Sequence, residues 1–132
     1  FHAGIYIKSN PGTNGMGLVQ NISYSNVRMT EALWWPIWIG PQQMNQPDGT
    51  FLGCDMRYPF RSEECPTNPL VTMRDIVLQD VTSTGGLNPY AGVVICNVSN
   101  PCQNIVFERV VVQQGMRDGL DKTLPFIVQD VY

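Results

Sequence analysis

One seven-residue pattern occurs three times without gaps: Asn21-Ile-Ser-Tyr-Ser-Asn-Val27, Asp75-Ile-Val-Leu-Gln-Asp-Val81 and Asn104-Ile-Val-Phe-Glu-Arg-Val110. Each copy opens on Asn or Asp. Each then places apolar residues at Ile22/Ile76/Ile105, Tyr24/Leu78/Phe107 and Val27/Val81/Val110, so one register of buried positions recurs. A chain that repeats its buried positions in this way stacks one copy on the next.

A second pattern alternates with the first: Gly4-Ile-Tyr-Ile-Lys8, Pro36-Ile-Trp-Ile-Gly40 and Gly92-Val-Val-Ile-Cys96, short strands opened by Gly or Pro. From Ile5 to Ile22 is 17 residues, from Ile22 to Ile37 is 15 and from Ile76 to Val93 is 17. Ile5 and Ile37 lie 32 apart, and Ile76 and Ile105 lie 29 apart, so a full coil takes about 30 residues, within the range of solenoid periods. The interval from Ile22 to Ile76 is 54, an excess of about one coil. Residues 40–69 therefore read as a loop insertion, and insertions in solenoids gather on one face, often the binding face.

Short strands rich in β-branched residues, with no 3.6-residue periodicity and with Asn or Asp at each corner, predict an all-β, right-handed parallel β-helix. A β-sandwich is the rival. It would show Asn-Gly turns inside repeated hairpins, whereas Asn14-Gly15 lies between unlike strands. Asn21, Asp75 and Asn104 are expected to serve the corners by bonding neighbouring backbone.

At 132 residues, 43% hydrophobic and 14% charged, the chain has room for a single domain and composition suited to a packed core. A net charge of -3 with no Lys/Arg cluster gives no general attraction to nucleic acid or to an anionic membrane. The longest apolar run, Leu33 to Ile39, is broken by Pro36 and is far short of a membrane span. A monomer is expected. The chain opens on Phe1-His2-Ala3-Gly4 with neither initiator Met nor signal peptide, so residues 1–132 are expected to be a partial β-helix domain cut from a longer chain.

Four cysteines form two close pairs, Cys54 with Cys65 and Cys96 with Cys102. Three connectivities are open, and short loops favour pairing of neighbours. Zinc is the competing use, but the spacing fits poorly and only His2 could help, so no metal is expected. Two sequons, Asn21-Ile22-Ser23 and Asn97-Val98-Ser99, make Asn21 and Asn97 candidate glycosylation sites and agree with a secreted, oxidised protein.

Gly4-Ile5-Tyr6-Ile7-Lys8-Ser9, the glycines at 12, 15 and 17, and Asn21-Ile22-Ser23-Tyr24-Ser25-Asn26-Val27 resemble the Arg-Ile-Lys segment and following strand of glycoside hydrolase family 28, the polygalacturonase family. Val94-Ile95-Cys96 with Pro101-Cys102 is similar to the disulfide-bearing coil near that family's C-terminus. The resemblance runs from Gly4 to about Val112. It implies hydrolysis, with inversion, of α-1,4-galacturonosyl links in pectin by a secreted β-helix, the acid and base being carboxylates on opposite sides of the sugar. The family's Asn-Thr-Asp, Asp-Asp and Gly-His-Gly motifs precede its Arg-Ile-Lys segment, and none occurs here, so no catalytic residue is assigned in this chain. No cofactor is implied. The alternatives are a non-catalytic carbohydrate-binding or structural β-helix, and a lyase or epimerase on the same scaffold.

What this chain offers a polysaccharide is set by strand alternation. Ile5 and Ile7 share the core face, leaving Tyr6 and Lys8 outside, and the same phase in the next coil buries Ile37 and Ile39 and directs Trp38 outward, stacked on Tyr6. Lys8 would supply a charge-assisted hydrogen bond to a uronate carboxylate. Tyr6 stands where the family has Arg, which removes a bidentate fork and suits a less charged or methyl-esterified sugar. Gln42 and Gln43 occupy the place of the family's subsite Tyr. Trp34 and Trp35 read as packing residues, Glu63-Glu64 as a solvated pair, and the lone His2 as idle.

Overall fold

Two kinds of strand alternate along the chain, and each kind pairs only with its own. The short strands β1 (Ile5–Lys8), β3 (Ile37–Gly40), β5 (Gly92–Ile95) and β8 (Phe126–Gln129) form one sheet in that order, every pair parallel. The long strands β2 (Gly17–Thr30), β4 (Val71–Thr84) and β6 (Gln103–Gln114) form the second sheet, also parallel. A two-residue strand, β7 (Lys122–Thr123), closes that sheet antiparallel to β6. Each coil thus gives one strand to each sheet, which is a parallel β-helix. The computed structural model describes residues 4–9, 15–32, 34–41, 54, 65, 67–114 and 122–132, and no helix occurs among them.

The threefold repeat lies in register: Ile22, Ile76 and Ile105 align, as do Tyr24, Leu78 and Phe107, and Val27, Val81 and Val110. The spacing of two and then three between buried positions has a backbone cause. Asn21, Asp75 and Asn104 have φ of 56°, 56° and 53°, and five residues later Asn26, Asp80 and Arg109 have φ of 56°, 53° and 51°. Each left-handed residue bends the strand and shifts the in/out alternation by one, as a bulge does, so the inward set runs Met73, then Ile76 and Leu78, then Val81 and Ser83. Asn and Asp tolerate this conformation and Arg does so less readily. The repeat therefore carries two corners, one more than its opening Asn or Asp suggests.

The core grades from the ends to the middle. Ile76, Leu78 and Val81 in the central coil are fully covered, while their partners in the coils above and below are half-buried and pack against them. Burying such a trio stabilises by about 1.5–3 kcal/mol per side chain.

One sequence alignment shifts by a residue. The shared pattern of the short strands sets Val93 over Ile37, but Ile37 pairs with Gly92, and Trp38 with Val93. Gly92 begins β5 instead of preceding it, and stands at an inward position that carries a side chain in every other coil. Phe126, the next partner of Gly92, packs against the main core in this region. Its ring meets Phe107 edge-on with centroids 5.0 Å apart.

Candidate functional site

The outward face of the short-strand sheet begins with Tyr6 and Lys8. Tyr6 aligns with Trp38, and the two rings stack with centroids 6.0 Å apart and planes 14° from parallel, as the strand phase predicts. Lys8 is exposed at the end of the same strand.

Trp38 corrects the expectation that its ring, outward and stacked on Tyr6, would offer a surface to a polysaccharide. It does leave the main core, but it is 0% exposed, sealed into a second apolar layer with Trp35, Cys54, Val93 and Ile95. Tyr6, Cys65, Tyr90 and Ile127 pack around that layer. The indole N–H of Trp38 donates to Pro41 O at 2.7 Å, Trp35 meets it edge-on at 5.9 Å, and Tyr90 stacks on Trp35 at 6.0 Å. The physical reason is that Trp35 and the Cys54–Cys65 cystine cover this face, so outward phase does not mean exposure. With one face against Trp38, the Tyr6 ring belongs to this layer, and Lys8 is the outward member of β1 that reaches solvent.

A second correction concerns the tryptophans read as packing residues: Trp35 is, at 1% exposure, whereas Trp34 is 38% exposed. A sequence signal for the covered layer was present. Ile37 to Ile39 and Ala91 to Cys96 carry no polar residue at either phase, the mark of a strand buried on both faces.

Beside Lys8 the backbone comes close. Gly40 pairs with Lys8 at φ 118°, and a Cβ there would overlap the carbonyl oxygen of Ile95, so only glycine fits. Ser9 N donates to Gly40 O at 3.0 Å and fixes the strand end. From there a narrow crevice with room for about one water runs between Ser9, Thr67, Asn68, Asn97 and Asn100. Its far wall is the loop closed by the Cys96–Cys102 disulfide. Both cystines join sequence neighbours, as the short-loop argument favours.

Of the described acids, Glu31, Asp75, Asp80 and Glu108 lie on or beside the long-strand sheet and Asp130 directly follows β8; none lies within a short strand. Asp80 is engaged by Arg109, whose Nη2 donates to Oδ2 at 3.0 Å, and Arg109 also contacts Glu108. The hydrogen bond from Arg109 holds the Asp80 carboxyl below its ordinary value. Asn104 Nδ2 donates to Asp75 Oδ1 at 2.8 Å, so the first corner is tied coil to coil by side chains, where bonds to local backbone were expected. No group of three or more potential metal ligands occurs among the described residues. His2, Gln42, Gln43, Glu63 and Glu64 lie outside the described residues. Of the two sequon residues, Asn21 is exposed and Asn97 is part-buried in the crevice wall.

A family model described as glycosyl hydrolases family 28 matches residues 2–124 of the chain. No match is found among curated proteins or among solved structures.

Proposed function

This chain belongs to glycosyl hydrolase family 28, and from that premise we propose that it forms the C-terminal coils of a secreted glycosidase acting on pectin-type polysaccharide. The observation that carries the reading is Lys8, an exposed residue with an ammonium head on the outward face of β1, the first strand of the short-strand sheet. An ammonium there supports recognition of a sugar carboxylate by a charge-assisted hydrogen bond, as the resemblance to the Arg-Ile-Lys segment implies. Gly40, the partner of Lys8 in the next coil, is buried against the Ile95 backbone, so Lys8 is the exposed member of that pair.

The general acid and the water-activating carboxylates come, on this reading, from coils preceding β1, where the family carries its aspartate motifs. They act across the glycosidic bond, one protonating the leaving oxygen and the other activating water on the opposite side of the ring. The lack of any acid in the described short strands supports placing them outside those strands. The two cystines support an oxidising, extracellular setting.

The test is release of new reducing ends from polygalacturonate by the full-length protein, with NMR of the first-formed anomer. Inverted products support the assignment. Absence of cleavage with retained binding would instead favour a non-catalytic carbohydrate-binding β-helix, a reading motivated by Tyr6, which packs on Trp38 in place of a carboxylate-binding fork. Unsaturated ends would mean a lyase.

A further inference from the structure

The two sequons sit in opposite surroundings. Asn97 lies within the loop closed by Cys96 and Cys102, where its side-chain oxygen accepts from Ser99 N at 2.9 Å and its backbone oxygen accepts from Asn100 N at 3.0 Å. Its Nδ2 donates to Thr67 O and to Thr67 Oγ1, both at 3.0 Å. Asn100 does the same one turn later, donating from Nδ2 to Pro69 O at 3.0 Å and to Thr72 Oγ1 at 3.1 Å. Two carboxamides therefore clamp the cystine loop to the segment that enters β4, each using both of its N–H groups.

That chemistry conflicts with a glycan on Asn97. An N-linked sugar replaces one amide hydrogen by carbon, leaving a single N–H for two acceptors. The sugar C1 would then have to stand where a Thr67 oxygen now lies at hydrogen-bond distance. A chain modified at Asn97 before folding could not form the clamp and would leave one of two part-buried acceptors without this partner.

Asn21 has none of these constraints. It is exposed at a left-handed corner of β2, and Ser23 of its sequon is exposed as well. The side-chain tie at this corner joins Asn104 to Asp75, and no hydrogen bond engages the Asn21 side chain among the described residues.

We propose that Asn21 is the N-glycosylation site of this protein and that Asn97, in spite of its sequon, is a structural clamp left unmodified in the folded molecule. The sugar comes from a lipid-linked oligosaccharyl pyrophosphate. Nδ2 of Asn21 loses a proton and bonds to C1, the C1–O bond breaks, and the lipid pyrophosphate departs with the electron pair. The proposal takes its secretory setting from the proposed function, but site occupancy and glycosidase activity are separate measurements, so the failure of one is distinguishable from failure of the other.

The test is to produce the full-length protein through a eukaryotic secretory pathway and treat the folded, secreted material with peptide N-glycanase in ¹⁸O-water. Peptide mass spectrometry should then find the heavy aspartate at position 21 and unmodified Asn97. Asn21→Gln should remove the glycan mass from this region, whereas Ser99→Ala, which destroys the second sequon but keeps the Asn97 amide, should leave mass and yield unchanged. Label at position 97 in folded material, or none at position 21, overturns the proposal. The mapping on the unsubstituted protein decides the matter even if a variant fails to fold.

Discussion

Phe126 places its ring where a side chain on Gly92 would stand: a Cβ built on Gly92 comes within 2.8 Å of Phe126 Cε1 and within 2.6 Å of Ile37 O. The carbonyl cannot give way without disturbing the β3–β5 ladder. Gly92→Ala is therefore expected to destabilise by about 1–3 kcal/mol, the usual cost of overpacking. A fall in urea midpoint at constant m-value would show it. Gly15→Ala is the control, because a Cβ there meets nothing within 4 Å. It should be neutral or raise stability by about 0.4–1 kcal/mol through the unfolded chain. Equal behaviour of the two variants would contradict the packing account.

The same pair shows where sequence reading stops. The repeat in β2, β4 and β6 was legible to the residue, because three copies of one apolar register leave little freedom. In the short strands the shared opening glycine suggested aligning Gly92 with Gly4. In the structure Gly92 instead matches Ile37, since the space at that position is filled from the next coil by Phe126. No local pattern encodes that exchange. The direction of Tyr6 and Trp38 was likewise readable from alternation, but the cover laid over Trp38 comes from residues such as Trp35 and Cys54, whose contacts are set by tertiary folding. Only the unbroken apolar runs through β3 and β5 hinted that both faces would be buried.

Lys8 gives a test of substrate reading. Lys8→Met keeps the stem and removes the charge, at an exposed position where folding should be little affected. Loss of a hydrogen bond between charged groups is worth about 1.5–3 kcal/mol, so kcat/KM of the full-length protein on polygalacturonate should fall about 10- to 150-fold. On fully methyl-esterified pectin the change should be several times smaller. Equal losses on both polymers would show that the ammonium does not read the carboxylate.

The Arg109–Asp80 contact predicts an acid dependence. The hydrogen bond and charge of Arg109 lower the folded-state value of the Asp80 carboxyl from its ordinary 3.8. A group shifted in this direction contributes stability above the unfolded value and loses it as pH falls through the folded one. The stability difference between the protein and Arg109→Met should therefore be present at neutral pH and shrink below about pH 4. Because the pair is exposed, added salt should shrink it too. Arg109→Asn separates the corner from the charge, since Asn accepts φ near 51° while removing the ion pair. If carbon-13 titration finds Asp80 at an ordinary value, the coupling is absent.

The Cys54–Cys65 cystine is expected to act as the lid of the outer apolar layer. Cys54 is 0% exposed and packs with Trp35 and Trp38, so the covalent link holds that cover in place from one end. Replacing both cysteines by alanine releases a loop with a sequence separation of 11, a change worth about 3 kcal/mol on the chain-entropy account. More specifically, it should let water reach an indole that is now sealed. In the unsubstituted protein iodide should quench mainly Trp34, at 38% exposure, and leave Trp35 and Trp38 dark to it. In the double variant the emission should move to the red and a second quenchable fraction should appear. Replacing Cys96 and Cys102 instead removes a link that lies against the main core, away from Trp38, and should leave the emission in place. A double Cys54/Cys65 variant with unchanged emission would mean that neighbouring side chains alone exclude water from Trp38, and that the cystine does not serve as its lid.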